Sequence, residues 1–148
     1  MPAVPAVLGE TAAQWVALGW AGSLTPRRVR QDRWSPLEYA CHVRDVFALL
    51  DYRAATVLTL DDPLLEDWDQ DAAAHTYAEG DPTVVVSGIA AAAWRAALRL
   101  AGVDDQAWAR PVRRSDGATF TLGSLARYPA HDPVHHLWDV RGLLAASR

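Results

Sequence analysis

The chain is poor in cysteine and has no long uncharged apolar run. Of its 148 residues one is a cysteine, Cys41. A single thiol excludes an internal disulfide framework, and it excludes cysteine-rich zinc and iron–sulfur sites. It fits a reducing compartment, so a cytoplasmic protein is expected. No uncharged apolar stretch approaches the roughly 18 residues of a membrane span, so no transmembrane helix is expected. The N-terminal Met-Pro-Ala-Val-Pro-Ala-Val segment lacks a basic region and is broken by Pro2 and Pro5, which argues against a signal peptide. Charge of one sign is also scarce. A net charge of −4 and a pI near 5.6 argue against a dominant nucleic-acid or anionic-membrane role. There is no internal repeat and no low-complexity linker.

What is present is apolar and aromatic. The composition is 51% hydrophobic with seven tryptophans, which suits one domain over residues 1–148. For most of the tryptophans the expected role is packing, and for some it is walling a pocket. Four helices are expected. The first spans about 9–22, with Gly19 and Gly22 weakening its end. The second has the clearest start signal: Ser35 as N-cap, Pro36 at the first helical position and Glu38 completing a capping box. Trp34 stands where it can staple against Tyr39, and the helix can run to about Leu60. Its apolar stripe is Tyr39, Val43, Val46, Phe47, Leu50, Ala54 and Val57, with His42 at the edge beside Leu49 and Arg53.

Residues 61–82 read as an acidic loop. Asp81-Pro82 leads into a third helix over about 83–101, where helix-forming Ala90 to Leu100 outweighs the β-like Val84-Val85-Val86 run. Ser115-Asp116-Gly117 reads as the tip of a turn that two short strands could flank. The last helix begins near Thr121 or Ser124 and runs to about Ala146. Pro129 and Pro133 inside it predict a kink, or a start delayed to about residue 131. The expected fold class is all-α: an up-and-down four-helix bundle, with a possible short turn or hairpin before the last helix.

Within the last helix, His131 and His135 stand four residues apart, a spacing that lets two imidazoles grip one metal ion. If His42 closes the site, three histidines leave open coordination positions, the mark of a centre that does chemistry. Imidazole nitrogens suit zinc first, with nickel, iron, copper or manganese as other occupants. His136 points about 100° from His135, which assigns it to supporting the ligands or to solvent. Asp132 and Asp139 are placed to orient ligand imidazoles. Asp69, Asp71 and His136 are weak candidates for a base. Trp68 and Trp138 are candidate pocket walls, and the Trp68-Asp69-Gln70-Asp71 segment is a candidate lid. Arg53, or one of the arginines of the basic loop Pro26-Arg27-Arg28-Val29-Arg30, is a candidate for holding the carboxylate of a thiol co-substrate. His75 reads as solvated and Cys41 as inert packing.

Two segments carry a resemblance: Arg33-Trp34-Ser35-Pro36-Leu37-Glu38-Tyr39-Ala40-Cys41-His42-Val43-Arg44-Asp45-Val46, and His131-Asp132-Pro133-Val134-His135-His136-Leu137-Trp138-Asp139-Val140. Together they resemble the DinB-like superfamily, in the actinobacterial branch near the mycothiol-dependent maleylpyruvate isomerases. The resemblance implies a four-helix bundle with one divalent metal in a cleft, held by His42, His131 and His135. It also implies a thiol S-transferase that activates mycothiol, bacillithiol or glutathione, and a homodimer. The expected partners are a small-molecule thiol and an electrophile. The competing readings are a non-catalytic metal-binding or stress-response module and a metal-dependent hydrolase.

Overall fold

The computed structural model describes residues 3–147. Pro2, read above as interrupting a leader, lies outside the described residues. Four long helices make up the body: α1 (Ala3–Trp20), α2 (Pro36–Thr59), α4 (Pro82–Ala101) and α6 (Leu122–Ala146). Between them lie the short helices α3 (Gln70–Ala74) and α5 (Asp105–Trp108), and the strands β1 (Leu64–Leu65), β2 (Pro111–Arg114) and β3 (Thr119–Thr121). Helices α1 and α2 each pack against both α4 and α6, so α1 lies diagonally across the bundle from α2, and α4 from α6. The sequence does not carry that lateral order.

The first helix starts six residues earlier than its periodicity suggests. Pro5 falls in its first turn, where an amide would have no intrahelical acceptor. Its end uses both glycines. Gly22 adopts φ 69°, and the Ser23 and Gly22 amides donate to the Leu18 and Gly19 carbonyls, a Schellman closure. Gly19 sits where α1 crosses α4 so closely that a Cβ there would run into Val86 Cγ2.

Helix α2 begins as its sequence predicts. The Glu38 amide donates to Ser35 Oγ, and Glu38 returns the bond by accepting from the Ser35 amide at 2.7 Å. The buried Glu38 carboxylate also takes both arms of the Arg28 guanidinium, at 2.9 and 2.6 Å. Trp34 packs edge-on against Tyr39, as a staple does. At the far end Arg110 donates to the Val57 and Leu60 carbonyls, the acceptors that a helix terminus leaves open.

Two features of the middle of the chain differ from the sequence reading. The acidic stretch after α2 is partly ordered into β1, α3 and a 3-10 turn at Tyr77–Glu79. The hairpin β2–β3, closed by Gly117 at φ 89°, gains β1 as a third strand, parallel to β2 with Leu64 opposite Arg113. Two residues are too short to signal a strand by alternation. Among the described residues α4 is long and apolar enough to cross a membrane by length and composition. Its buried side, Val85, Val86, Ile89, Ala92, Ala93, Ala96 and Leu100, belongs to the one core cluster shared with α1, α2 and α6. The last helix runs unbroken through both prolines from a capping box of Thr121 and Ser124, so the delayed start does not occur.

Gly19→Ala is expected to lower Tm, because overpacking against Val86 at about 1–3 kcal/mol outweighs the gain of about 1 kcal/mol in helix propensity. Ser35→Ala is expected to cost about 1 kcal/mol, a fall of roughly 2–4 °C in Tm. Differential scanning calorimetry of both variants checks the two signs.

Candidate metal centre

The inward stripe of α6 is Leu122, Leu125, Ala126, Pro129, Ala130, Pro133, Leu137, Val140 and Leu143. Asp132 and His136 border this stripe and are half-buried, whereas His131 and His135 are exposed. Asp132 and His136 therefore face α2, where His42 lies buried at 2% exposure. His42 Nε2 stands 3.0 Å from Asp132 Oδ2, and His136 Nε2 stands 3.5 Å from the same oxygen. One donor atom from each of the three residues lies within 4.8 Å of the others.

These positions correct the expected triad. His42 does not meet His131 and His135, whose Nε2 atoms lie 2.7 Å from each other on the exposed side of α6. His131 lines a separate apolar groove formed with Ala3, Val4 and Val7 of α1. His136, assigned above to support or solvent, is in the cluster, and so is Asp132. The physical reason is register. The stretch 131–136 contains two overlapping pairs at four-residue spacing, His131/His135 and Asp132/His136, rotated by about 100°. Histidine identity favours the first pair, but the apolar stripe of the helix selects the second.

The cluster has the composition and spacing of a cation site. Two donors each about 2.1 Å from one ion stand about 3.0 Å apart at a right angle and about 3.4 Å apart at the tetrahedral angle. The two separations to Asp132 fit that range. His136 Nδ1 lies 3.2 Å from Asp139 Oδ2, the carboxylate–histidine support common behind metal ligands, and Arg33 holds Asp139 from behind at 3.8 Å. One feature opposes an ion: His42 Nδ1 is buried without a hydrogen-bond partner among the described residues. With Nε2 committed to a cation, that nitrogen carries the proton as an unmet donor, at a cost of about 1–3 kcal/mol.

Electrostatics follow the same geometry. Burial raises the Asp132 pKa, but hydrogen bonds from His136 and His42 outweigh it and hold the carboxyl well below the ordinary range. Burial lowers the His136 pKa, and the Asp132 and then the Asp139 carboxylates more than reverse it, so the net shift is upward. Protonated His136 therefore stabilises the metal-free fold. That contribution is fully present below the unfolded histidine pKa of about 6.5 and is lost as pH rises through the higher folded value.

Aromatic rings cover the cluster. Trp68 stacks on His42 with centroids 5.5 Å apart and planes 14° apart, and Trp34 lies 5.3 Å away on a tilted plane. Trp68 is held there by the small sheet. The Asp67 amide donates to Ser115 Oγ at the hairpin tip, and Arg53 Nη2 donates to the Glu66 carbonyl. A cleft of about 200 Å³ opens beside the cluster, lined by His42, Val46, Leu49, Arg53, Asp67, Trp68, Gln70, Arg114, Tyr128, Pro129 and Asp132.

Trp68 and Arg53, two of the candidates named from sequence, both line this cleft. Trp138 does not: it is 72% exposed, beside Arg30 and Arg33 rather than in the cleft. Asp69 caps α3 through the Ala72 amide, and neither Asp69 nor Asp71 lines the cleft. His75 is exposed. Cys41 is buried, with Sγ directed at the Tyr77 carbonyl, and burial pushes its thiol pKa up. Gln70, part of the candidate lid, also lines the cleft, whereas Asp67, Arg114 and Tyr128 were not anticipated. Asp67 and Arg114 reach it through the small sheet, and Tyr128 stands one turn before Asp132 on the same face of α6.

Fold and cluster together define a four-helix bundle carrying a candidate metal site of two histidines and one aspartate. No protein-family model matches the chain, and no curated protein matches it. Among solved structures it is similar to YfiT from Bacillus subtilis, described as a probable metal-dependent hydrolase with an unusual four-helix bundle topology. The TM-score is 0.84 at 20% identity, over 97% of this chain and 85% of that one. The likeness establishes a YfiT-like bundle fold.

Zinc titrated into the metal-free protein is expected to bind one ion per chain. His42→Ala, Asp132→Ala and His136→Ala should each abolish binding, and the double variant His131→Ala/His135→Ala should retain it. Asp139→Ala should weaken it about 10–100-fold. Because protons compete for His136, apparent affinity should rise with pH through the upper flank of the histidine range. Calorimetric titration at several pH values checks all of these outcomes.

Proposed function

We propose that the chain is a divalent-metal-dependent enzyme that transfers a low-molecular-weight thiol of the mycothiol, bacillithiol or glutathione type to an electrophile. The observation that carries the reading is the convergence of His42, Asp132 and His136 beside a cleft that His42 and Asp132 line. When bound there, a divalent ion, zinc first, lowers the pKa of a coordinated thiol or water so that it reacts near neutral pH. The residues do the rest. His42 and His136 supply neutral nitrogen donors, and Asp132 offsets part of the cation's charge. Asp139 fixes the ring of His136. Trp68 and Trp34 keep bulk water from His42, which strengthens every electrostatic interaction beneath them.

The lining of the cleft favours a thiol nucleophile over a water activated by a separate base. Asp132 is committed to the histidines, and Asp67 lies 3.5 Å from Arg114, so no free carboxylate of the lining faces the cluster. The similarity to YfiT, a probable metal-dependent hydrolase, supports a second reading, hydrolysis by an activated water. A non-catalytic metal-binding module is a third.

Zinc-loaded protein is expected to accelerate consumption of the thiol of glutathione, mycothiol or bacillithiol by addition to enones, with the proton passing to the α-carbon, or by displacement of halide from activated aryl halides. His42→Ala should remove both metal and turnover. Thiol-independent ester cleavage by the same sample supports the hydrolase. Stoichiometric metal with neither activity supports the binding module.

A further inference from the structure

Within the cleft, Arg53 is a cation that forms no ion pair among the described residues; Asp67 and Asp116 support its charge only from a distance. It sits on α2 and is 7% exposed. Among the described residues its hydrogen bonding is a single contact, from Nη2 to the Glu66 carbonyl at 2.9 Å. The acidic groups nearby serve other partners: Asp116 and Asp67 pair with Arg114, and Asp132 is shared by the two histidines. Arginine cannot relieve its burial by giving up a proton at neutral pH. Burial, and then the positive charge of Arg114, nonetheless press against its charged form. The Glu66 carbonyl takes one of the five N–H donors of Arg53, and the others have no protein acceptor among the described residues.

Its position tells what would compensate it. His42, Val46, Leu49 and Arg53 follow one another at steps of four, three and four residues, which puts them on one face of α2. All four line the cleft. Eleven residues of helix rise about 16 Å, and the arginine side chain leans back toward the helix N-terminus, so the guanidinium and the His42 ring bracket a span on the order of 10 Å. Val46 and Leu49 form an apolar floor between them. The planar guanidinium fork is the side chain best matched to a carboxylate.

We propose that Arg53, with Arg114 beside it, is a carboxylate-binding fork, and that the site takes an elongated carboxylate. Its reacting group lies at the His42 end, an uncharged stem lies over Val46 and Leu49, and its terminal carboxylate meets Arg53. The placing of the reacting end rests on the proposed metal-dependent function; the anion affinity of Arg53 does not. A two- or three-carbon acid is too short to touch both ends.

Linear dicarboxylates from succinate to suberate, titrated into the zinc-loaded protein, test this. Affinity is expected to peak at a chain long enough to span the cleft. Arg53→Met, which keeps most of the packed stem, should weaken the best binder at least tenfold without changing zinc stoichiometry, and Arg53→Lys should recover part of the loss. Equal affinity in Arg53→Met and the parent protein, or affinity independent of chain length, overturns the proposal. Titration of the metal-free parent protein with hexanoate, followed by NMR at the Arg53 Nε–H, separates this proposal from the metal reading and needs no variant to fold. A saturable shift there in a protein that binds no zinc leaves the fork standing and sinks the metal centre. Zinc binding with no response at Arg53 sinks the fork alone.

Discussion

The site depends on one carboxylate shared between two imidazoles. Asp132 reaches from α6 to His42 on α2 and also serves His136 one turn further along its own helix. The surrounding bundle is apolar, and an unpaired carboxylate or imidazolium there would carry a heavy desolvation cost. Pairing removes most of that cost and fixes α2 and α6 in rotation about their own axes, because a turn of either by one residue would separate the partners. The same constraint makes the cluster suited to a cation, which replaces shared protons with a charge that all three groups can meet at once.

That pairing needs both helices held from outside. The capping box at Ser35, with Arg28 doubling its hold on Glu38, fixes where α2 begins and hence which residue occupies the place of His42. Trp15 of α1 donates its ring N–H to the Pro133 carbonyl, one residue from Asp132, and ties α6 to the bundle from its other side. The small sheet does the third part. By joining β1 to the hairpin it brings the first part of the acidic segment over His42, so that Trp68 stacks on the ring. An acidic stretch with low intrinsic order thus becomes the roof of the site.

The helical body was legible because its signals are local: an N-cap with its capping box at Ser35, Asp81 before Pro82, and 3.6-residue stripes. The sheet was half legible. Ser115-Asp116-Gly117 marks its turn, whereas β1 is a pairing between segments about fifty residues apart with no pattern of its own. Around the site, His42 and Arg53 share a helix edge that the apolar stripe of α2 makes visible, and Trp68 stands out only as an aromatic in an acidic stretch. Asp132 and His136 were displaced by one position because histidine identity was weighed above helical phase. The exposed phase of His131 and His135, on the side of α6 opposite Leu137, Val140 and Leu143, was present in the sequence and settles the register when the whole helix is plotted. Tyr128, one turn before Asp132 on α6, follows from the same register once it is set, whereas Arg114 was not legible, since tertiary packing alone brings it to the cleft.

Pro129 and Pro133 show how the bundle accommodates the site. Each removes an amide from the interior of α6, a cost of about 3 kcal/mol in an isolated helix, yet the helix continues through both. Both rings are buried, four residues apart, on the side that faces the core, and Pro129 also lines the cleft. A rigid ring there fills volume beside Asp132 without offering a flexible side chain that could fold into the cleft or compete for the carboxylate. The missing amides leave the Leu125 and Pro129 carbonyls without their usual intrahelical donors. The Trp15 bond to Pro133 and the capping box at Thr121 secure the helix on either side of that weakened turn. Sequences break local rules most often where function asks for it, with compensation elsewhere. The two breaches in this helix fall within four residues of Asp132, the group on which the proposed chemistry turns.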